Sequence, residues 1–167
     1  ALGTVVENRD VLQVLHTQLM QCDMVDFCTP VRLETIERRG HQMVVQGSDG
    51  VVRQAPLLVG ADGVRSAVRS QMGFRVRHWS YHQQAFVAVV RTEKPHDQIA
   101  RQVFLPTGPL AFLPLTCGAD AHYSSIVWTT TPEQARDLMA QPEAACAAAL
   151  TRGFESTLGA VQTVESR

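Results

Sequence analysis

Asparagine occurs once, at Asn8, and lysine once, at Lys94; the remaining basic residues are arginines scattered along the chain. With a formal net charge of −1 over 167 residues and no cationic cluster, a nucleic-acid-binding surface is not expected. No apolar run approaches the roughly 18 residues of a membrane span, and the first residues carry no basic-then-apolar signal. The expected location is cytoplasmic. The four cysteines (Cys22, Cys28, Cys117, Cys146) contain no CxxC pair, so reduced structural thiols are expected and a zinc site is not. His78 and His82 are four apart and could share a face, but without a third ligand nearby they read as satisfied or solvent-facing, and no metal is expected. No Ser-His-Asp constellation is visible, and no catalytic base can be named.

What is present is the composition of an ordinary globular chain, 45% hydrophobic and 19% charged. Its organising stretch is residues 55–69. Leu57 to Ala61 is a short, wholly apolar segment that suits a strand buried on both faces, Asp62-Gly63 is a turn, and a helix is expected to open with Val64. Gly63 supplies a position free to take positive φ. The helix would turn its unpaired N–H groups and positive dipole end toward the turn, making an anion-binding corner. Asp62 is either an N-cap or a group facing a ribose, with Arg65 and Arg69 within reach.

Before this corner, Asn8 is read as the cap of an amphipathic helix carrying Val11, Leu12, Leu15 and Leu19. A strand is expected over Met24 to Cys28. A three-stranded meander follows over Val31 to Glu37, Gln42 to Gln46 and Val51 to Gln54, with turns at Arg39-Gly40 and Ser48-Asp49-Gly50. Past a boundary between Gly73 and Ser80 the pattern becomes antiparallel. About four strands are expected: Tyr81 to Thr92, Ala100 to Leu105, Leu110 to Leu115 and Tyr123 to Thr130, the third and fourth joined by a turn over Cys117 to Asp120. Thr131-Pro132-Glu133-Gln134 is a capping box that opens one helix; a second runs from near Pro142 to Gly153, and Gly159 to Glu165 is extended.

The string from Ala55 to Arg69 resembles the Asp-Gly motif of the FAD-dependent aromatic hydroxylases, the single-component flavoprotein monooxygenases. Further on, the strings Ala100-Arg101-Gln102-Val103-Phe104, Gly108-Pro109-Leu110-Ala111-Phe112-Leu113-Pro114-Leu115 and Ser125-Ile126-Val127-Trp128 add to it. With Tyr81-x-Gln83-Gln84-Ala85 and Val6-Glu7-Asn8, they are similar to the ubiquinone-biosynthesis hydroxylases, most of all the 2-polyprenylphenol 6-hydroxylase type. The resemblance implies an α/β plus α+β fold: a partial, Rossmann-like FAD-binding domain with a β-meander (residues 1–73), joined to an antiparallel-sheet substrate domain with helices (residues 74–167). It implies FAD as cofactor and NAD(P)H and O₂ as cosubstrates. Asn8, Val31, Asp62, Gly63 and Arg69 would contact the cofactors: Val31 at the adenine end, and Arg69 at NAD(P)H unless it only faces solvent or pairs with a carboxylate.

In relatives acting on benzoate-type acids, the resemblance implies, the strand matching Leu110 to Leu115 carries basic side chains; here it carries no charge. A buried carboxylate without a partner is costly, so a substrate ring lacking one is expected, and the resemblance implies a polyprenylated phenol, whose long apolar tail such walls would suit. Phe112, Leu113, Leu115 and Trp128 would form its pocket wall, although for each of them a place in the sheet core is the competing reading, since alternation turns only half of a strand to one side. The partners implied extend to other ubiquinone-biosynthesis proteins, a second copy, or a membrane surface touched peripherally. The GxGxxG turn and the downstream Gly-Asp segment of that family are both missing from these residues, so the chain is expected to be an internal fragment that holds FAD weakly or not at all and leaves apolar strand edges uncovered. A reductase or halogenase of the same fold, or a non-catalytic prenylphenol- or protein-binding module, are the alternatives.

Overall fold

A computed structural model describes residues 3–115 and 120–166; the expected turn at Cys117, Gly118 and Ala119 lies outside the described residues. The chain forms two compact units, one of Ala1–Leu15 with Ser80–Arg167 and one of His16–Trp79. Helix α1 spans Asn8–Met20. Next come strands β1 (Leu33–Arg39), β2 (Gln42–Gly47) and β3 (Val52–Ala55), and the short helix α2 (Ala67–Gln71). Strands β4 (Gln84–Thr92), β5 (Arg101–Leu105), β6 (Gly108–Pro114) and β7 (Tyr123–Thr130) precede helices α3 (Pro132–Ala140) and α4 (Glu143–Gly153), and β8 (Val161–Ser166) follows.

The His16–Trp79 unit is built on the expected meander, a three-stranded sheet in the order β1-β2-β3 with both pairs antiparallel. Its turns use Gly40 and Gly50, both at positive φ. Asp49 braces the second turn, accepting from Arg53 at 2.7 Å and from the Val51 amide at 3.1 Å. The buried apolar side chains of this unit among the described residues are Ile36, Val44 and Val68, a thin core.

Two expectations fail here. Met24 to Cys28 and Leu57 to Ala61 are not strands: both are irregular, and Met24, Leu57 and Val59 are 92%, 73% and 72% exposed. An apolar run becomes a strand only when a neighbouring strand takes its backbone hydrogen bonds. Neither segment has such a neighbour among the described residues.

The other unit carries a five-stranded antiparallel sheet in the order β5-β6-β7-β4-β8. The extended tail thus becomes a fifth strand, lying on the free edge of β4. One face of the sheet is closed by α3 and α4. Phe86, Val90, Leu110, Phe112, Ile126 and Trp128 pack there against Leu138, Cys146, Leu150 and Phe154. Phe112 stacks on Phe154 with ring centroids 4.0 Å apart. The opposite face carries Val87, Val89, Ala111, Leu113, Ser125 and Val127, none of them buried. Period-two alternation makes this division, as register pairs such as Leu110 with Trp128 and Leu113 with Ser125 require.

The capping box at Thr131 forms only half. Thr131 Oγ1 accepts from the Gln134 amide at 3.3 Å and Pro132 is the first helical residue, but the Gln134 side chain turns to the Thr130 hydroxyl instead of the cap backbone. Helix α1 begins at its expected cap instead of one residue after it. Asn8 is its first residue, and the Glu7 carbonyl accepts from the Asp10 and Val11 amides. Its apolar stripe forms but is not buried, with Leu12 and Leu15 more than half exposed.

Candidate functional site

Asp62 is the hub of the turn it opens. Its carboxylate accepts from the Ser66 hydroxyl at 2.5 Å, the Ala67 amide at 2.6 Å and the Val68 amide at 3.1 Å. Ser66 in turn caps α2, its oxygen accepting from the Arg69 amide at 2.9 Å. The helix therefore opens at Ala67, not at Val64, because the Asp62–Ser66 pair supplies the acceptors its first turn needs. The expected corner for an outside anion is corrected accordingly: the protein's own carboxylate takes these N–H groups, and α2 is only five residues long. The Ser66 hydrogen bond first, and then the amide hydrogen bonds, hold the Asp62 carboxyl below its ordinary value.

Gly63 sits beside this hub at φ +76°, and a Cβ there would meet nothing within 4 Å, so the turn presents an open surface. Gly60 is under the opposite constraint, since a Cβ would lie 2.9 Å from Val68 Cγ1. Gly60, Gly63, Ser66, Val68 and Arg69 line one cleft of about 870 Å³, with residues 56–59 and Arg38, His41 and Met43 of the first hairpin as further walls. The Arg69 guanidinium is half-buried and donates to the Val64 carbonyl. Val31 lies outside this list, with its Cγ1 against Gly47. The structure thus brings Gly63 and Arg69 into one cleft, with Asp62 holding the turn between them, and leaves Val31 apart. Asn8 is exposed and belongs to the other unit.

The FAD implied by the resemblance can be tested against this cleft. Its size, its apolar walls, a glycine surface with no Cβ in the way and a guanidinium at its edge fit part of a dinucleotide. No GxGxxG turn for a pyrophosphate occurs in the sequence.

The residues expected to wall a pocket separate by strand face. Phe112 and Trp128 are 1% and 4% exposed in the core under α4, whereas Leu113 lies on the opposite face. Leu115 is 5% exposed and helps line a groove of about 470 Å³ within its own unit, together with Val5, Val6, Val11, Val14, Leu15, Thr4, Glu7 and Asp10. No basic side chain lines this groove.

One polar cluster escaped the sequence reading altogether. At the end of the sheet where β4 and β7 meet, Asp120 accepts from His122 and Arg91, and Tyr123 donates to Glu165. The only signal was the Asp120-x-His122 spacing ahead of a strand, which by itself is common. Among the described residues no group of three or more His, Cys, Asp or Glu side chains could hold a metal ion, and no helix is long and apolar enough to cross a membrane.

Comparison with known proteins bears on the family of the chain. The family described as FAD binding domain matches residues 4–166. The ubiquinone hydroxylase UbiL of Rhodospirillum rubrum is 36% identical over 166 residues, covering 99% of this chain and 38% of that protein. The 3-demethoxyubiquinol 3-hydroxylase of Escherichia coli is 33% identical over 160 residues, covering 96% of this chain and 40% of that protein. The chain therefore spans well under half the length of these relatives. Among solved structures, PqsL, a probable FAD-dependent monooxygenase from Pseudomonas aeruginosa, superposes with a TM-score of 0.71 at 20% identity. That match covers 94% of this chain and 45% of PqsL, and it speaks for the fold alone. A chain matched over nearly its whole length in this way belongs to the FAD binding domain family, and it is similar to hydroxylases of ubiquinone biosynthesis.

Proposed function

We propose that this chain contributes part of the FAD site and most of the substrate site of a monooxygenase that hydroxylates the ring of a polyprenylated phenol. The cleft within residues 38–74 serves the cofactor, and residues 74–167, together with residues 4–15 that line the groove beside Leu115, serve the substrate. The observation that carries the substrate class is the groove beside Leu115: its walls are valine and leucine, and its only charged side chains are the acids Glu7 and Asp10. A carboxylate-bearing ring would meet repulsion there and no cation, whereas a neutral phenol with an isoprenoid tail would bury apolar surface at about 25 cal/mol per Å².

Bound FAD, reduced by NAD(P)H, supplies the electrons that activate O₂ for oxygen insertion. The chain's own residues bind and orient. Gly63 admits the nucleotide to the turn, Asp62 holds that turn, and Arg69 offers a guanidinium to a phosphate of the dinucleotide. Val31 contributes backbone at the adenine end, and Asn8 contributes a polar group at the first turn of α1. Leu113 and Leu115 touch the substrate, while Phe112 and Trp128 stiffen the sheet from behind and help keep water out.

Calorimetric titration of the chain with a geranylated phenol and with the matching geranylated 4-hydroxybenzoate tests the substrate class. The neutral phenol is expected to bind at least about tenfold more tightly, a difference of about 1.4 kcal/mol. Equal or reversed affinities would exclude it. Flavin fluorescence tests the cofactor side: FAD emission is expected to be quenched by the chain, and less so with Arg69→Ala.

A further inference from the structure

We propose that Arg38 and His41, on the hairpin wall of the 870 Å³ cleft, bind a phosphate group of the nucleotide held there; the assignment rests on the cofactor reading of that cleft. Both side chains reach it through the local geometry of β1 and β2. Alternation places Arg38 on the same side of its strand as Ile36 and beside its register partner Met43, which lines the cleft as well. Gly40 closes the turn at φ +63°, and His41 follows it onto the same wall. Arg69 comes to the cleft from α2.

The charge of this lining is one-sided. Arg38, His41 and Arg69 are its basic residues, and no Asp or Glu lines it. Asp62, close by in the chain, accepts with its two oxygens from Ser66, Ala67 and Val68. Elsewhere in the same unit, Arg39 is closed by Glu37 and Arg53 by Asp49, each at 2.7 Å. Arg38 and Arg69 rest instead on main-chain carbonyls, Arg38 through Nε on Gly40 at 3.2 Å and Arg69 through Nη2 on Val64. A carbonyl fixes a guanidinium without cancelling its charge. The two terminal nitrogens of Arg38 have no partner among the described residues, and they form the fork that matches two oxygens of one phosphate. The His41 ring also has no hydrogen-bond partner among the described residues, and it carries a donor N–H in either tautomer. Two uncancelled guanidiniums on the walls of one largely apolar cleft raise its potential, which favours an anionic ligand over a neutral one.

A nucleotide can bring phosphate here in two ways, as the pyrophosphate that joins the halves of a dinucleotide or as a monoester on the adenosine ribose. Both present the same oxygens to Arg38.

Calorimetric titration of the chain at low salt with adenosine, 5′-ADP and 2′-AMP tests the assignment. At least one of the two nucleotides is expected to bind about tenfold more tightly than adenosine. Arg38→Gln is expected to remove most of that advantage, His41→Gln a smaller part, and neither to alter the affinity for adenosine. Tighter binding of 5′-ADP identifies the pyrophosphate as the group bound, and tighter binding of 2′-AMP the ribose monoester. Adenosine binding with no gain from a phosphate, or a gain that survives both substitutions together, overturns the proposal and leaves the cofactor reading standing. No saturable binding of any of the three overturns both. The arginine Nε–H resonances of the unsubstituted chain provide a readout independent of any variant's folding. That of Arg38 is expected to shift with the phosphorylated nucleotide and to stay in place with adenosine; a signal unmoved by a nucleotide that binds would refute the assignment.

Discussion

Asp62 shows how a single carboxylate can be both the mark of a nucleotide-binding motif and a piece of local structure. The motif was legible from Asp62, Gly63 and Arg69 at their spacing, and the positive φ of Gly63 follows from the turn. That Asp62 spends its oxygens on Ser66, Ala67 and Val68 was not legible, because a capping acceptor and a ligand acceptor are the same chemical group. The consequence is a pH dependence. A carboxylate whose folded pKa is depressed contributes stability that is fully present above its unfolded value, near 3.8, and is lost as pH falls through the lower folded value. The His16–Trp79 unit is therefore expected to lose stability below about pH 4, with Asp62→Asn flattening that acid limb; urea melts followed by circular dichroism from pH 2 to 7 measure it. An unchanged limb would show that Asp62 is no cap. Ser66→Ala removes the 2.9 Å acceptor at the Arg69 amide and is expected to cost about 1 kcal/mol in the same melts.

At the scale of elements, the strands with neighbours were readable and those without were not. β2, β5 and β7 were visible through alternation bounded by turns, as was Pro132 at the start of α3. Leu57 to Ala61 carries just as strong an apolar signal but has no strand beside it, and local pattern holds no information about partners. The same blindness hid the place of β8, whose sequence says extended but not which edge it joins. Which face of β6 meets the helices was likewise undetermined, so Phe112 and Leu113 were named together although the sheet divides them.

Two substitutions test the sheet. Phe112→Ala removes a ring that is 1% exposed and stacked on Phe154, and is expected to cost about 3–5 kcal/mol, read from denaturant midpoints. A loss below about 1 kcal/mol would mean that the site collapses around the missing ring. Gly108 sits at φ +139° with the Thr129 carbonyl oxygen where a Cβ would go. Gly108→Ala is therefore expected to break the pairing of β6 with β7 and to lower the melting temperature, whereas the same change at Gly3, where nothing lies within 4 Å, should be silent.

For the whole molecule, the two units differ in how much apolar surface each hides. Ile36, Val44 and Val68 stand against the extended cluster beneath α3 and α4. Amide hydrogen exchange is expected to be faster in β1, β2 and β3 than in β4, β6 and β7, because opening the smaller unit exposes less hydrophobic area. Equal protection in the two sheets would show that they open as one body.

The sheet order β5-β6-β7-β4-β8 sets the timetable of assembly. β4 is made early and acquires β7 first, but its other border waits for residues 161–166, so that Arg91 meets Thr163 only after the whole intervening chain has been laid down. Until then a row of bare amides and carbonyls along β4 is open to any passing strand. A growing polypeptide of this kind is at its most adhesive just before its fifth strand arrives, and slowing synthesis between α4 and β8 should lengthen that interval and favour capture by holding chaperones.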